Sequence, residues 1–309
     1  MVTACRLCPR CCGANRSAGE VGWCRAGGQV QIYRYAPHFG EEPPISGSKG
    51  SGTVFFSRCT LSCLYCQNYP WSQQGEGDFY SDGDLAHALR ALAEQGCHNW
   101  NLVSPTPWMP WVAHVLDALN REGIRLPVVY NTSGYERTET LDEYARHIQV
   151  YLTDLRYARA ETALTASRAA DYVEASRSAL RLMWSRLGPL RCDENGVALS
   201  GLICRILVLP GLAQEAVDNL QWLASTVGTE VAISVMAQYH PAWQARQHAG
   251  WDRSVSGAEY RQVCEAMEDL GFENGWMQDP EEAVRDDVIG YTMPRGGFDK
   301  AAGVEGSGA

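Results

Sequence analysis

The chain has 309 residues, with 36 acidic against 26 basic side chains and a formal net charge of −10. That balance excludes broad electrostatic attraction to nucleic acid or to an anionic membrane surface, and no apolar run approaches the ~20 residues of a membrane span. Twelve cysteines with no charged-then-apolar leader after Met1 point to metal and redox chemistry in a reducing compartment, so a cytoplasmic protein without disulfides is expected.

Residues 1–30 form a Gly-containing, thiol-dense segment, Cys5-x2-Cys8-x3-Cys12-x11-Cys24. Four thiolates at such spacings can close a tetrahedral site for zinc or iron, and a segment with little core of its own draws folding energy from a metal. On spacing alone Cys11 competes with Cys12 as a ligand. The alternative is a reduced, cysteine-rich arm.

Residues 31–290 alternate short β-branched or aromatic runs with longer amphipathic ones. The pattern predicts strands at 53–57, 100–104, 127–131, 149–154, 202–209 and 230–237. Helices are predicted at 83–95, 110–121, 139–146, 167–186, 214–227 and 256–270. Such alternation predicts an α/β chain with a parallel sheet and right-handed crossovers, a partial (β/α)6 barrel. Residues 243–253 are expected to be a packed loop. Residues 291–309, rich in Gly, Ala and Ser toward the end, are expected to be a mobile tail.

Between the first strand and the next helix stands Cys59-x3-Cys63-x2-Cys66. A tight loop with thiolates at this spacing can hold three corners of an iron–sulfur cluster and leave one iron open. Several strands run into polar residues: Ser104-Pro105-Thr106, Asn131-Thr132-Ser133-Gly134, Asp154-Leu155-Arg156 and Met236-Ala237-Gln238-Tyr239-His240. In parallel α/β architectures these carboxyl ends form the active-site face. Cys97, Cys192, Cys204 and Cys264 show no ligand spacing and are expected to pack in the core.

The cysteine loop, with Tyr65 before its last cysteine, resembles the signature of the radical S-adenosylmethionine (SAM) superfamily. Cys5-Arg6-Leu7-Cys8-Pro9-Arg10, Phe39-Gly40-Glu41-Glu42-Pro43-Pro44-Ile45-Ser46-Gly47, Asn131-Thr132-Ser133-Gly134-Tyr135 and Leu207-Val208-Leu209-Pro210-Gly211 resemble its pyruvate formate-lyase activating enzyme-like branch. The resemblance implies a [4Fe-4S] cluster on Cys59, Cys63 and Cys66, with SAM on its open iron. It implies that Cys12, not Cys11, completes the second metal site with Cys5, Cys8 and Cys24. It further implies SAM contacts from Tyr65, Ser104, Pro105, Thr106, Asn131, Thr132, Ser133, Asp154, Arg156, Arg205, Met236, Gln238 and His240. Asp154 and Arg156 are the expected catalytic pair. Arg156 stands where the branch has lysine, which keeps the charge but replaces a point ammonium with a planar fork.

The activity implied is reductive SAM cleavage to a 5′-deoxyadenosyl radical, with flavodoxin or ferredoxin as electron donor. Hydrogen would be abstracted from a glycyl-radical-type partner protein, or from a small molecule or peptide. The rival readings are a cluster-dependent methyl or 3-amino-3-carboxypropyl transferase and a non-catalytic iron–sulfur or zinc sensor.

Overall fold

The computed structural model describes residues 2–280 and 290–297. Strands β1 (Val30–His38), β2 (Ser51–Phe56) and β3 (Asp78–Tyr80) open the chain, with one-turn helices α1 (Pro43–Ser46) and α2 (Tyr69–Ser72) between them. The repeating part follows as α3 (Asp82–Glu94), β4 (Trp100–Val103), α4 (Met109–Arg121), β5 (Val128–Thr132), α5 (Thr138–Tyr144), β6 (Val150–Asp154), α6 (Ala160–Ser167) and α7 (Tyr172–Leu187). It ends with β7 (Arg191–Cys192), β8 (Ala198–Leu207), α8 (Ala213–Thr226), β9 (Ala232–Met236), α9 (Gly257–Asp269), β10 (Gly275–Met277) and β11 (Gly296–Gly297).

All six predicted strands form, and they lie side by side in chain order, β2, β4, β5, β6, β8 and β9, each parallel to the next. The sheet extends to β10 at one edge and to β1 and β11 at the other, and among the described residues these edges do not pair, so the barrel is not closed. Two helices start on caps that the sequence provides: Ser81 and Asp84 form a reciprocal box at α3, and Ser256 and Glu259 do so at α9. No described helix is long and apolar enough to cross a membrane.

Strand alternation sorts the side chains into two layers. Tyr130, Cys204 and Ile206 join the large core between sheet and helices, while Val129, Leu152 and Ile203 form a smaller core with Ile45. Two residues beyond Val129, Leu152 and Ile203 along the same strands come Asn131, Asp154 and Arg205. Asp154 pairs with Arg205 across the β6–β8 ladder. The inner layer therefore turns from apolar to charged as it reaches the carboxyl ends.

Three expectations need correction. The helix predicted over 167–186 begins five residues later, as α7, and an unpredicted helix, α6, precedes it and ends at Arg168, which takes a left-handed φ of 54°. The carbonyls of Ala166 and Ser167 at the end of α6 accept from Leu64 and Ser62 of the cysteine loop at 2.8 and 3.3 Å, so the loop meets the carboxyl end of that helix. Cys192, expected to pack, is exposed. Residues 290–297, placed mostly in the tail, meet β1: Gly296 pairs with Arg34, and Tyr33 Oη donates to the Met293 carbonyl at 2.6 Å. The remainder of the expected tail, 298–309, lies outside the described residues.

Candidate functional site

The loop after β2 is held by its backbone before any ligand is considered. Arg58 N–H donates to the Trp71 carbonyl at 2.9 Å, and the Leu64 carbonyl accepts from Ala245 at 2.9 Å. Tyr65 stacks on Trp251, with centroids 5.5 Å apart and planes 5° from parallel, and its hydroxyl lies 2.6 Å from that of Tyr157. Residues 243–253 thus pack on the loop as expected, with Trp243 stacked on Tyr69. Leu61, Cys63, Leu64 and Tyr65 belong to a small core of their own with Tyr135, Tyr172 and Tyr239.

The sulfurs meet hydrogen-bond donors. Arg156 Nη1 lies 3.1 Å and Ser167 Oγ 3.0 Å from Cys63 Sγ, and Ser72 Oγ lies 3.1 Å from Cys66 Sγ. Burial pushes the thiol of Cys59 up to about 11 and that of Cys66 up to about 12, so without a ligand both are neutral at pH 7 and a metal must displace their protons. Among the described residues no three His, Cys, Asp or Glu side chains converge on a single ion. Thiolates on a four-iron cluster each bind a different iron and need no such convergence. Three thiols in one short loop are a donor set that a cluster can use.

Beside the loop opens a cavity of about 180 Å³ lined by Cys63, Tyr65, Cys66, Asn131, Asp154, Arg156, Arg205, Met236 and Gln238, together with Glu41 and His38. One chain of charges crosses it. Arg156 donates to Asp154 Oδ2 through Nε and Nη2 at 2.9 and 2.6 Å, and Arg205 Nε donates to Asp154 Oδ1 at 2.7 Å. Arg205 continues to Asn131 Oδ1 at 2.6 Å and to Glu41 Oε2 at 3.4 Å. Burial alone would raise the Asp154 carboxyl, but Arg205 and Arg156 outweigh it and hold the group below the usual carboxylate range. Glu41 goes the other way: burial raises it despite Arg205 and Asn101.

Glu41 is among the cavity residues that were not expected at the site, with His38, Gln67, Asn68 and Met293. It accepts from Asn101 Nδ2 at 2.9 Å and from Asn131 Nδ2 at 3.2 Å. Its signal was two successive acids ahead of Pro43-Pro44, an unusual prelude to a buried turn, and Glu42 is buried too.

Two other expected SAM contacts, Thr132 and Thr106, turn their side chains to Glu136. Thr132, one step along β5 from Asn131, points to the helix side, where it and Thr106 donate to Glu136 Oε1, Thr106 at 2.6 Å. Ser104 takes a left-handed φ of 57° and its N–H donates to the Asn131 carbonyl at 2.8 Å. Pro105 leads into a 3₁₀ turn, and the Ser133 carbonyl accepts from Tyr172 Oη at 2.8 Å. Ser104, Pro105, Thr106, Thr132, Ser133 and His240 are not in the cavity wall. At Gly134, φ is +80° and a Cβ would stand 2.3 Å from the Asp154 carbonyl, so only glycine lets β5 turn this close to β6.

Burial raises Glu136 to about 7, although Thr106, Thr132 and Tyr130 donate to it. A folded-state pKa above the unfolded one means the native state binds the extra proton, so stability falls as pH rises from about 4.5 to 7. The loss is expected to be about 3 kcal/mol. Glu136→Gln should flatten that part of a pH series of urea unfolding curves. An unchanged slope would place the titration on another group.

The four N-terminal cysteines line a second, smaller hollow with Arg10 and Arg16, and Cys11 is outside it. Cys11 is exposed, with φ of 41°, and its thiol lies 3.5 Å from the Cys8 carbonyl. Gly22 provides the seat for Cys12: a Cβ there would stand 2.2 Å from Cys12 Sγ. A larger hollow of about 530 Å³ lies at the amino ends of β4 and β5, lined by Trp100, Val128 and His147, and touches no cysteine.

No family model matches the chain. It is 25% identical over 270 residues to an uncharacterised protein of Methanocaldococcus jannaschii, covering 85% of this chain and 74% of that one. Among solved structures it is similar to Streptococcus suis SuiB bound to S-adenosylmethionine, at 11% identity and TM-score 0.49, covering 72% of this chain and 48% of SuiB. A domain of a pyruvate-formate lyase-activating enzyme from Bacteroides vulgatus is similar at 18% identity and TM-score 0.39, covering 54% of this chain and 91% of that domain. The chain therefore spans about half the length of SuiB and most of the length of the archaeal relative.

Proposed function

We propose that the chain is a radical SAM enzyme. The observation that carries this reading is the meeting of a three-thiol loop with a cavity walled by paired charges, at the carboxyl ends of one parallel sheet. Cys59, Cys63 and Cys66 would hold three irons of a [4Fe-4S] cluster and leave the fourth for the amino and carboxylate groups of SAM. When bound, the cluster supplies the electron that breaks the sulfonium C–S bond and releases a 5′-deoxyadenosyl radical.

The protein's part is orientation and shielding. Arg156 and Arg205 offer planar forks to a carboxylate, and Glu41 and Asp154 offer acceptors to an ammonium. Because Asp154 ties both arginines together, the forks are set before ligand arrives. Tyr65, clamped between Tyr157 and Trp251, keeps the last turn of the loop against the sheet and away from water.

Flavodoxin or ferredoxin is the proposed electron donor, and the hydrogen donor is a glycyl-radical-type protein, a peptide or a small molecule. Anaerobically reconstituted, dithionite-reduced protein is expected to convert SAM to 5′-deoxyadenosine. Methylthioadenosine or S-adenosylhomocysteine as the product would replace this reading with group transfer. Absence of SAM binding by calorimetry would replace it with a sensor.

A further inference from the structure

We infer that Arg10 and Arg16 are the counter-charges of a tetrathiolate metal centre on Cys5, Cys8, Cys12 and Cys24, and that Arg10 makes this centre a brace for the cysteine loop. The inference relies on the SAM reading only for what that loop carries.

Four thiolates around a divalent ion leave two negative charges; Cys5 and Cys8 are buried, Cys24 is half-buried and Cys12 is exposed, and the covered part of such charge persists where cations oppose it. Two arginines stand in the same hollow. Arg16 is 2% exposed and donates to the carbonyls of Gly27 at 2.8 Å and Pro107 at 2.5 Å. Arg10 lies over the Trp23 ring at 3.8 Å. Each has one buried terminal nitrogen, Nη2, with no acceptor. A buried guanidinium N–H without an acceptor is costly, and sulfur carrying full negative charge would be the acceptor that makes both favourable. Neutral thiols would leave both Nη2 groups without such an acceptor. The sulfurs do not converge on one ion as placed, so metal entry requires their side chains to rotate inward.

The second half of the inference comes from the other edge of Arg10. Its Nε donates to the carbonyl of Thr60 at 3.3 Å, and Thr60 lies between Cys59 and Cys63 and lines the N-terminal hollow. A metal that fixes Arg10 also fixes the first turn of the loop. The N-terminal segment is then part of the support for the cysteine-loop site.

The test uses full-length protein with Cys59, Cys63 and Cys66 all changed to alanine, so that bound zinc(II) or iron(II) reports the N-terminal site alone. One metal equivalent is expected. Arg10→Gln and Arg16→Gln should each weaken affinity about 10- to 100-fold against a chromophoric chelator, the usual range for partners of metal ligands. In the otherwise native chain, hydrogen exchange across 58–66 should rise on chelation and in Arg10→Gln. Arg10→Lys should keep most of the metal affinity while losing loop protection, which separates the charge from the brace. No bound metal, affinity unmoved by both glutamine variants, or loop exchange indifferent to metal would overturn the inference. Metal affinity is read without SAM turnover, so failure here is distinguishable from failure of the SAM assignment.

Discussion

Cys63→Ala is expected to reduce 5′-deoxyadenosine formation to background and to remove the iron–sulfur absorbance of the reconstituted protein. Cys63 is 4% exposed, and its sulfur faces Arg156 Nη1 and Ser167 Oγ. The substitution deletes one proposed iron ligand and leaves the Arg156 fork without one of its acceptors. Two irons with protein ligands do not hold a four-iron cluster that normally needs three or four. Cys204→Ala is the matched control, since that thiol is also buried but lies on the helix side of β8 and should leave turnover intact. Full 5′-deoxyadenosine production by Cys63→Ala would sink the cluster assignment.

Asp154→Ala is expected to cost about 3–5 kcal/mol in urea unfolding, because it leaves Arg156 and Arg205 buried without their shared partner. SAM affinity should fall with it, as the forks lose their common anchor. The pH dependence has a definite sign. The Asp154 carboxyl lies below its ordinary value of 3.8 in the folded chain, so its contribution is present above that pH and is lost as acid protonates it in the native state. The parent should therefore lose stability below about pH 4 more steeply than the variant. Equal acid limbs, or a loss under about 0.5 kcal/mol, would show that solvent compensates the arginines.

The legible parts of this protein were those with strong local chemistry. Six strands with apolar runs and the C-x3-C-x2-C loop were readable because period, thiol spacing and turn residues agree. Thr132 and Thr106 were placed at SAM by the family resemblance, position by position. Alternation decides otherwise, for Asn131 faces in and Thr132 faces Glu136. Glu136 itself looks like a surface acid after a Gly turn, and only tertiary burial makes it a proton-binding group. Strand β1 follows a thiol-rich segment and pairs antiparallel to β2, which the alternating βα pattern gives no reason to expect. Strand β10 spans three residues, too few to carry a period. Helix α6 was missed because its end has no Gly or Pro to announce it: Arg168 itself takes the left-handed cap, and loop N–H groups distant in sequence meet the last carbonyls.

The contact between Tyr33 and Met293 joins residues 260 positions apart, and Met293 is part of the cavity wall. A wall completed by so distant a partner forms late, because long-range closure waits on the folding of everything between. During synthesis the cysteine loop precedes Met293 by more than 200 residues. At about 5–20 residues per second that interval lasts tens of seconds. In that interval the cavity beside the loop lacks the part of its wall that Met293 supplies. On the proposed reading, anything delivered to the loop while the chain is being made would meet a cavity still open on that side.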